Sequence, residues 1–347
     1  VLEFFHQKGH VVITIKHIAQ KLDLSVATVG RALTDHPRIS RETKERVRLA
    51  AKELGYVANS AARVMRGGRS HLVGLLVPDI RSTFYSMVAQ VLSKHLEANA
   101  FHLALSITDD NRDIEMQHVR ELISARVAGI VIVPCAKPRR ETLDLLTMVP
   151  HVQLLRRVRS LGDWFGMDDE RAILDATNHL ITLGHSRIAY IGDLIFPTGR
   201  ARYKGYCQAF AGAGGKVDAD LVELGPPDTR FGAKATTRLM GKRLPPTAIV
   251  TSSVLITLGA AEQLIAMNVD VPDALSIVGF GDGPWQQWWG PGLTTIRLPV
   301  EALAASCGSW FLDRLKGKMP QPRARPHIAV SRTTLVQRGS TAPRKAD

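Results

Sequence analysis

From Thr14 to Gly55 the apolar positions recur at helical spacing in three short blocks. Ile15, Ile18, Ala19 and Leu22 share one face of a first helix opened by Thr14. The break at Asp23 is followed by Ser25, a second cap, and a helix through Leu33. Ser40 opens a longer third helix with Val47, Ala50, Ala51 and Leu54 on one face and Arg41, Lys44, Glu45, Arg48 and Lys52 on the other, ended by Gly55. From His71 the pattern changes to apolar runs rich in Val, Ile and Leu: 71–77, 101–107, 129–135, 151–155, 187–191, 247–251 and 276–280. Most read as buried on both faces. Amphipathic segments at 82–97, 114–125, 171–183 and 256–267 lie between them, and that alternation predicts parallel sheets wrapped by helices. About ten strand candidates in some 250 residues suit two sheets better than one, with the chain crossing between them near Asp168–Ala172.

Charge refines this division. The chain has 347 residues, 45 Lys+Arg against 32 Asp+Glu, and a net charge of +13. Residues 1–71 hold 13 basic against 6 acidic residues, and residues 314–347 hold 9 against Asp347 alone. The middle is slightly acidic, so the basic excess belongs to the two ends. A polyanionic partner suits the first. The last, with Pro and Arg interspersed, reads as a solvated tail. Three cysteines (Cys135, Cys207, Cys307) are too few and too scattered for a disulfide framework or a zinc pattern, so no metal or cofactor is expected and a reducing cytoplasm is. No run approaches the roughly 20 apolar residues of a membrane span, and residues 1–10 lack the layout of a signal peptide.

An enzyme is disfavoured by the absence of its motifs. The first apolar run holds one glycine rather than a dinucleotide fingerprint, and GAGG at 212–215 and GFGDG at 279–283 read as turns. There is no G-x-S-x-G elbow, Walker loop or HExxH, and His118, His179 and His185 are scattered.

Two short helices, a tight turn and a third helix with basic excess form the layout of a helix-turn-helix DNA-binding unit. The stretches ITIKHIAQKLDLSVATVGRAL and RISRETKERVRLAAKELGYVANSAARVMRGG closely resemble the headpiece of the LacI/GalR family of bacterial transcription regulators, almost unbroken from Thr14 to Gly68. The resemblance places Val26 and Ala27 at the start of the recognition helix against base edges, where short apolar chains suit thymine methyls. Arg31, one turn on, can reach guanine or a phosphate. Thr14, Ser25 and Thr28 suit phosphate contacts that set register. Gly30 stands where the family usually has Ser, which removes one such contact. Residues 59–67 resemble the family's hinge helix, which forms on DNA. Met65 takes the place of the usual Leu wedge in the minor groove, with Asn59, Ala62 and Arg66 beside it. The same stretch also reads as a flexible linker.

The resemblance continues more loosely through VGLLVPDI, GIVIVP, HLITLGHSRIAYIGD, ARYKGYCQAF, VPDALSIVGFGD and PGLTTI. It implies a periplasmic-binding-protein-like pair of parallel α/β subdomains joined by three crossovers, with a small effector in the cleft. By position, the effector contacts are Asp79, Phe84, Tyr85, Arg202, Ser252, Ser253 and Asp282; the rings could equally be core, and Arg200 is a weaker second to Arg202. Ser252 and Ser253 stand where sugar-responsive members carry Asn-Asp, and Gly281 precedes Asp282 where they carry Asp directly. With Arg202 kept and Lys137, Arg139 and Arg140 following the third apolar run, these departures tilt the expected effector slightly from a sugar toward a sugar acid, a nucleobase corepressor being the alternative.

The sequence thus predicts an α/β chain: a headpiece at 14–58, a hinge at 59–70, a two-subdomain ligand-binding and dimerisation domain at 71–337, and a disordered basic tail at 338–347. The expected function is a cytoplasmic homodimeric repressor that binds a pseudo-palindromic double-stranded operator and has no membrane partner.

Overall fold

The computed structural model describes residues 13–56, 70–318 and 325–344, which fall into two compact units divided after Gly68. In the smaller unit, α1 (Ile15–Leu22), α2 (Val26–Leu33) and α3 (Arg41–Glu53) follow the predicted helices closely. Ser25 Oγ accepts the Thr28 N–H (3.0 Å) and Ser40 Oγ accepts the Thr43 N–H (3.2 Å), caps that contribute about 1 kcal/mol each. Between α1 and α2 the chain reverses at Asp23, whose left-handed φ of 53° is one an Asp tolerates. The three apolar faces meet in a core of Ile18, Ala19, Val29, Ala32, Val47, Ala50 and Ala51. Full burial of side chains such as Ile18 and Val29 stabilises by about 1.5–3 kcal/mol each.

The larger unit holds two sheets of six strands. β1 (Leu72–Val77), α4 (Thr83–Glu97), β2 (His102–Ile107), α5 (Arg112–Ser124), β3 (Gly129–Ile132), α6 (Arg140–Leu146), β4 (His151–Leu154) and β5 (Trp164–Met167) build the first. The second comprises α7 (Asp169–Thr182), β6 (Ile188–Gly192), α8 (Pro197–Gly212), β7 (Val222–Leu224), α9 (Thr229–Met240), β8 (Ala248–Thr251), α10 (Val254–Ala266), β9 (Ser276–Phe280), α11 (Pro284–Trp288) and β10 (Thr294–Arg297). The chain then returns through α12 (Val300–Leu315), which packs on α4, to β11 (Ile328–Ser331), and ends with β12 (Thr334–Val336). The strand orders are β11-β5-β4-β3-β1-β2 and β12-β10-β9-β8-β6-β7, parallel throughout except for β12 against β10.

Crossings between sheets therefore follow β5, β10 and β11, the first at Asp168 where the pattern switch lies. β1, β3, β6, β8 and β9 are buried almost throughout, as continuous apolar runs require. β2 is not: it is an edge strand, with Leu105 and Ile107 exposed.

The expected solvated tail is corrected by the structure as far as Arg344. Ser340 is fully buried, its hydroxyl donating to Ile277 O (2.7 Å) and accepting the Thr294 N–H (2.8 Å). Arg338 pairs with the buried carboxylate of Asp282 (2.7 Å), and the Ala342 carbonyl meets His185 Nε2 (3.1 Å). This segment closes the second sheet without forming a helix or strand after Val336, so neither composition nor periodicity reveals it.

Burial holds the His185 ring below its ordinary pKa of 6.5, and the His179 ring as well. Both are held neutral in the folded chain, whereas the unfolded chain takes up protons below about pH 6.5. Stability from this source is complete above that pH and is lost as the pH falls. The melting temperature should drop between about pH 7 and pH 5, and His185→Gln should flatten the dependence; an identical slope in the variant would contradict this.

Candidate functional site

The smaller unit presents one face of α2 to solvent. Val26 is 47% exposed, and Ala27 and Arg31 are exposed beside it, so none of the three belongs to the core formed by Val29 and Ala32. The Ser25 and Thr28 hydroxyls bond each other at the start of the helix (2.8 Å). At the start of α1, the Thr14 N–H donates to His17 Nδ1 (3.0 Å). Lys16, Arg31 and Arg38 have no ion-pair partner among the described residues, unlike Lys44 and Arg48, which both pair with Asp35. An exposed helix carrying small apolar and guanidinium groups, flanked by uncommitted cations, suits a major groove. Asn59, Ala62, Met65 and Arg66 lie outside the described residues.

In the larger unit, the carboxyl ends of strands from both sheets converge on a cleft of about 410 Å³, within the usual size of a small-molecule site. The first sheet contributes Asp79 after β1, Asp109 and Asp110 after β2, Leu155 and Arg156 after β4, and Phe84 and Tyr85 at the start of α4. The second contributes Asp193 and Phe196 after β6, Arg202 from α8, Asp228 after β7, Ser253 after β8 and Phe280 of β9.

Arg202 forms the floor. Its Nε donates to Asp169 Oδ1 (2.7 Å), Nη2 lies 2.6 Å from the same oxygen, and Nη1 donates to the Ser252 carbonyl (2.7 Å). The guanidinium lies 4.1 Å from the centroid of Phe280. Gly205, one turn along α8, is where this helix meets α7: any side chain there would strike the Glu170 carbonyl. Close helix approach therefore brings Arg202 to Asp169, which begins α7.

Arg156 is the counterpart on the opposite wall. Leu155 has a left-handed φ of 61°, and the Arg156 N–H closes a three-residue turn on the Leu154 carbonyl (2.8 Å). Such a conformation costs about 1–3 kcal/mol in a non-glycine residue and turns the chain sharply at the strand end. The Arg156 guanidinium binds Asp110 through both Nη atoms and sits 3.6 Å from the centroid of the Phe196 ring, across the cleft. Behind the pair, the fully buried Glu115 accepts the Cys135 N–H (2.7 Å), and burial pushes its carboxyl above the ordinary value.

Among the expected contacts, Asp79, Phe84, Tyr85, Arg202 and Ser253 are brought together here. Asp79 is engaged by Arg81 (2.9 Å), and the Ser253 hydroxyl caps α10 by accepting the Ile256 N–H (3.2 Å). Two are corrected. Ser252 is fully buried beneath the wall and offers its carbonyl to Arg202 instead of a hydroxyl to the cleft. Asp282 lies outside, where Arg297 (2.7 Å), Arg338 (2.7 Å) and the Thr295 hydroxyl (3.0 Å) hold it; burial would raise its pKa, but these bonds outweigh that and keep it below the ordinary value. Lys137, Arg139 and Arg140 do not line the cleft, and Arg139 pairs with Asp113.

The sequence reading missed Arg156, Asp110, Asp193 and Phe196. The available signal was positional. Each follows an apolar run by one to five residues, at the strand end where open α/β sheets bind ligands.

The bacterial regulatory protein family of the lacI type matches residues 14–59, and a periplasmic binding protein-like domain matches residues 177–341. The HTH-type transcriptional regulator GalR of Salmonella typhimurium is 30% identical over 95% of this chain and 96% of its own length. The transcriptional repressor CytR of Escherichia coli is 27% identical over 96% and 98%. Among solved structures, the lac repressor dimer bound to operator and the anti-inducer ONPF has the same fold, with a TM-score of 0.83 at 22% identity over 95% of this chain and 99% of that one. A CelR–cellobiose complex aligns with a TM-score of 0.69 at 25% identity over 94% and 99%. The chain belongs to the LacI/GalR family and is a ligand-responsive, DNA-binding transcription regulator.

Proposed function

We propose that this regulator is a cytoplasmic repressor that binds a pseudo-palindromic operator as a homodimer and responds to a sugar held in the cleft. The carrying observation is the cleft itself: aromatic faces of Phe84, Tyr85, Phe196 and Phe280, set among carboxylates and two anchored guanidiniums, suit the C–H face and the hydroxyls of a sugar ring. The cellobiose complex of CelR supports the same ligand class. A sugar acid fits less well, because the basic residues that favoured it lie elsewhere. The lining holds five aspartates against three arginines.

On DNA, Val26, Ala27 and Arg31 are the proposed base contacts, and Thr14, Ser25 and Thr28 the phosphate contacts. Asn59, Ala62, Met65 and Arg66 are the proposed hinge contacts in the minor groove. Effector closing the cleft would change the relative pose of the two subdomains and bias whether two hinges can engage one operator.

Arg31→Ala should weaken operator binding by about 1–3 kcal/mol while affecting a random duplex little, as measured by fluorescence anisotropy. Equal losses on both duplexes would remove Arg31 from base recognition. In the same assay, Arg202→Lys, which keeps a cation opposite Asp169, should abolish release by effector and leave operator affinity intact; an unchanged effector response would remove Arg202 from the site.

A further inference from the structure

Asp193 is the one buried carboxylate on the cleft lining, and no cation among the described residues meets it. It is 2% exposed and lines the cavity. Its Oδ1 accepts the Phe196 N–H (3.0 Å), which fixes the carboxylate against the start of α8. Gly199 leaves the room for it, since a side chain at that position would run into the Asp193 carboxyl. Burying a carboxylate without a counter-charge is costly, and such a group demands a partner. The cleft supplies none. Arg81 is committed to Asp79, Arg156 to Asp110, and Arg202 to Asp169. Asp109 and Asp228, also on the lining, have no cationic partner among the described residues either. Three carboxylates are thus left over once every guanidinium is paired.

We infer that Asp193 is a specificity-determining ligand contact, and that the effector carries a positively charged amino group on its hydroxylated ring, which the Asp193 carboxylate receives. This rests on the sugar-binding reading above and narrows it to amino sugars. A protonated amine adds a charge–charge attraction to the hydrogen bond that a hydroxyl at the same ring position would also donate.

Calorimetry on the full chain tests it with galactosamine against galactose and glucosamine against glucose. In at least one pair the amino sugar should bind about tenfold tighter or more, the scale of a hydrogen bond to a charged group. Asp193→Asn, which keeps the shape and the bond to Phe196, should reduce that advantage to within about twofold. N-acetylation of the amine should remove the advantage in the unmodified protein, a readout that needs no variant. No advantage in either pair, an advantage that survives acetylation or Asp193→Asn, or no binding by any of the four sugars would overturn the inference. Tight binding of a neutral hexose alone would overturn it and leave the sugar-responsive reading standing; failure of every sugar and sugar acid to bind would overturn both.

Discussion

The pair formed by Arg202 and Asp169 ties together the parts of the larger unit that any response to a ligand must use. Asp169 begins α7 immediately after the first crossing between sheets, Arg202 projects from α8, and the Ser252 carbonyl that completes the arrangement follows β8 directly. One guanidinium thereby joins the crossing point to the floor of the cleft. Of its five N–H donors, Nε and one on each Nη face protein acceptors, which leaves two uncommitted among the described residues for the proposed effector contact. Removing either partner would strand a buried charge, at a cost of about 3–5 kcal/mol. A ligand that contacts Arg202, as proposed, would be felt where the two halves of the unit are connected.

Net charge divides along functional lines. The basic headpiece leaves Lys16, Arg31 and Arg38 without an ion-pair partner among the described residues, as contact with DNA requires. The C-terminal excess has a different use. Arg314 pairs with Asp163 and Arg338 with Asp282, so part of what reads in sequence as a cationic tail neutralises carboxylates of the sheets. A chain-wide value of +13 conceals both roles.

The headpiece was legible because its caps, apolar periodicity and turn are local, and so were the buried strands with four or more consecutive apolar residues. Strands β5, β7, β10, β11 and β12 are three or four residues long, and tertiary pairing rather than their own pattern defines them. Asp282 illustrates a further limit: its place after an apolar run suggests a ligand contact, but one of the two arginines that claim it, Arg338, comes from 56 residues later in the chain, in a segment with no periodicity. Arg156 and Asp193 were readable as strand-end residues. What sets them apart is tertiary: Phe196 lies across the cleft from the first, and no counter-charge among the described residues lies beside the second.

If cleft occupancy and DNA binding are two faces of one equilibrium, the coupling must be reciprocal. The most direct test is calorimetric titration of effector into the full chain, free and saturated with operator. The account predicts that operator changes effector affinity by the same factor by which effector changes operator affinity. Identical effector affinities in the two titrations would contradict it.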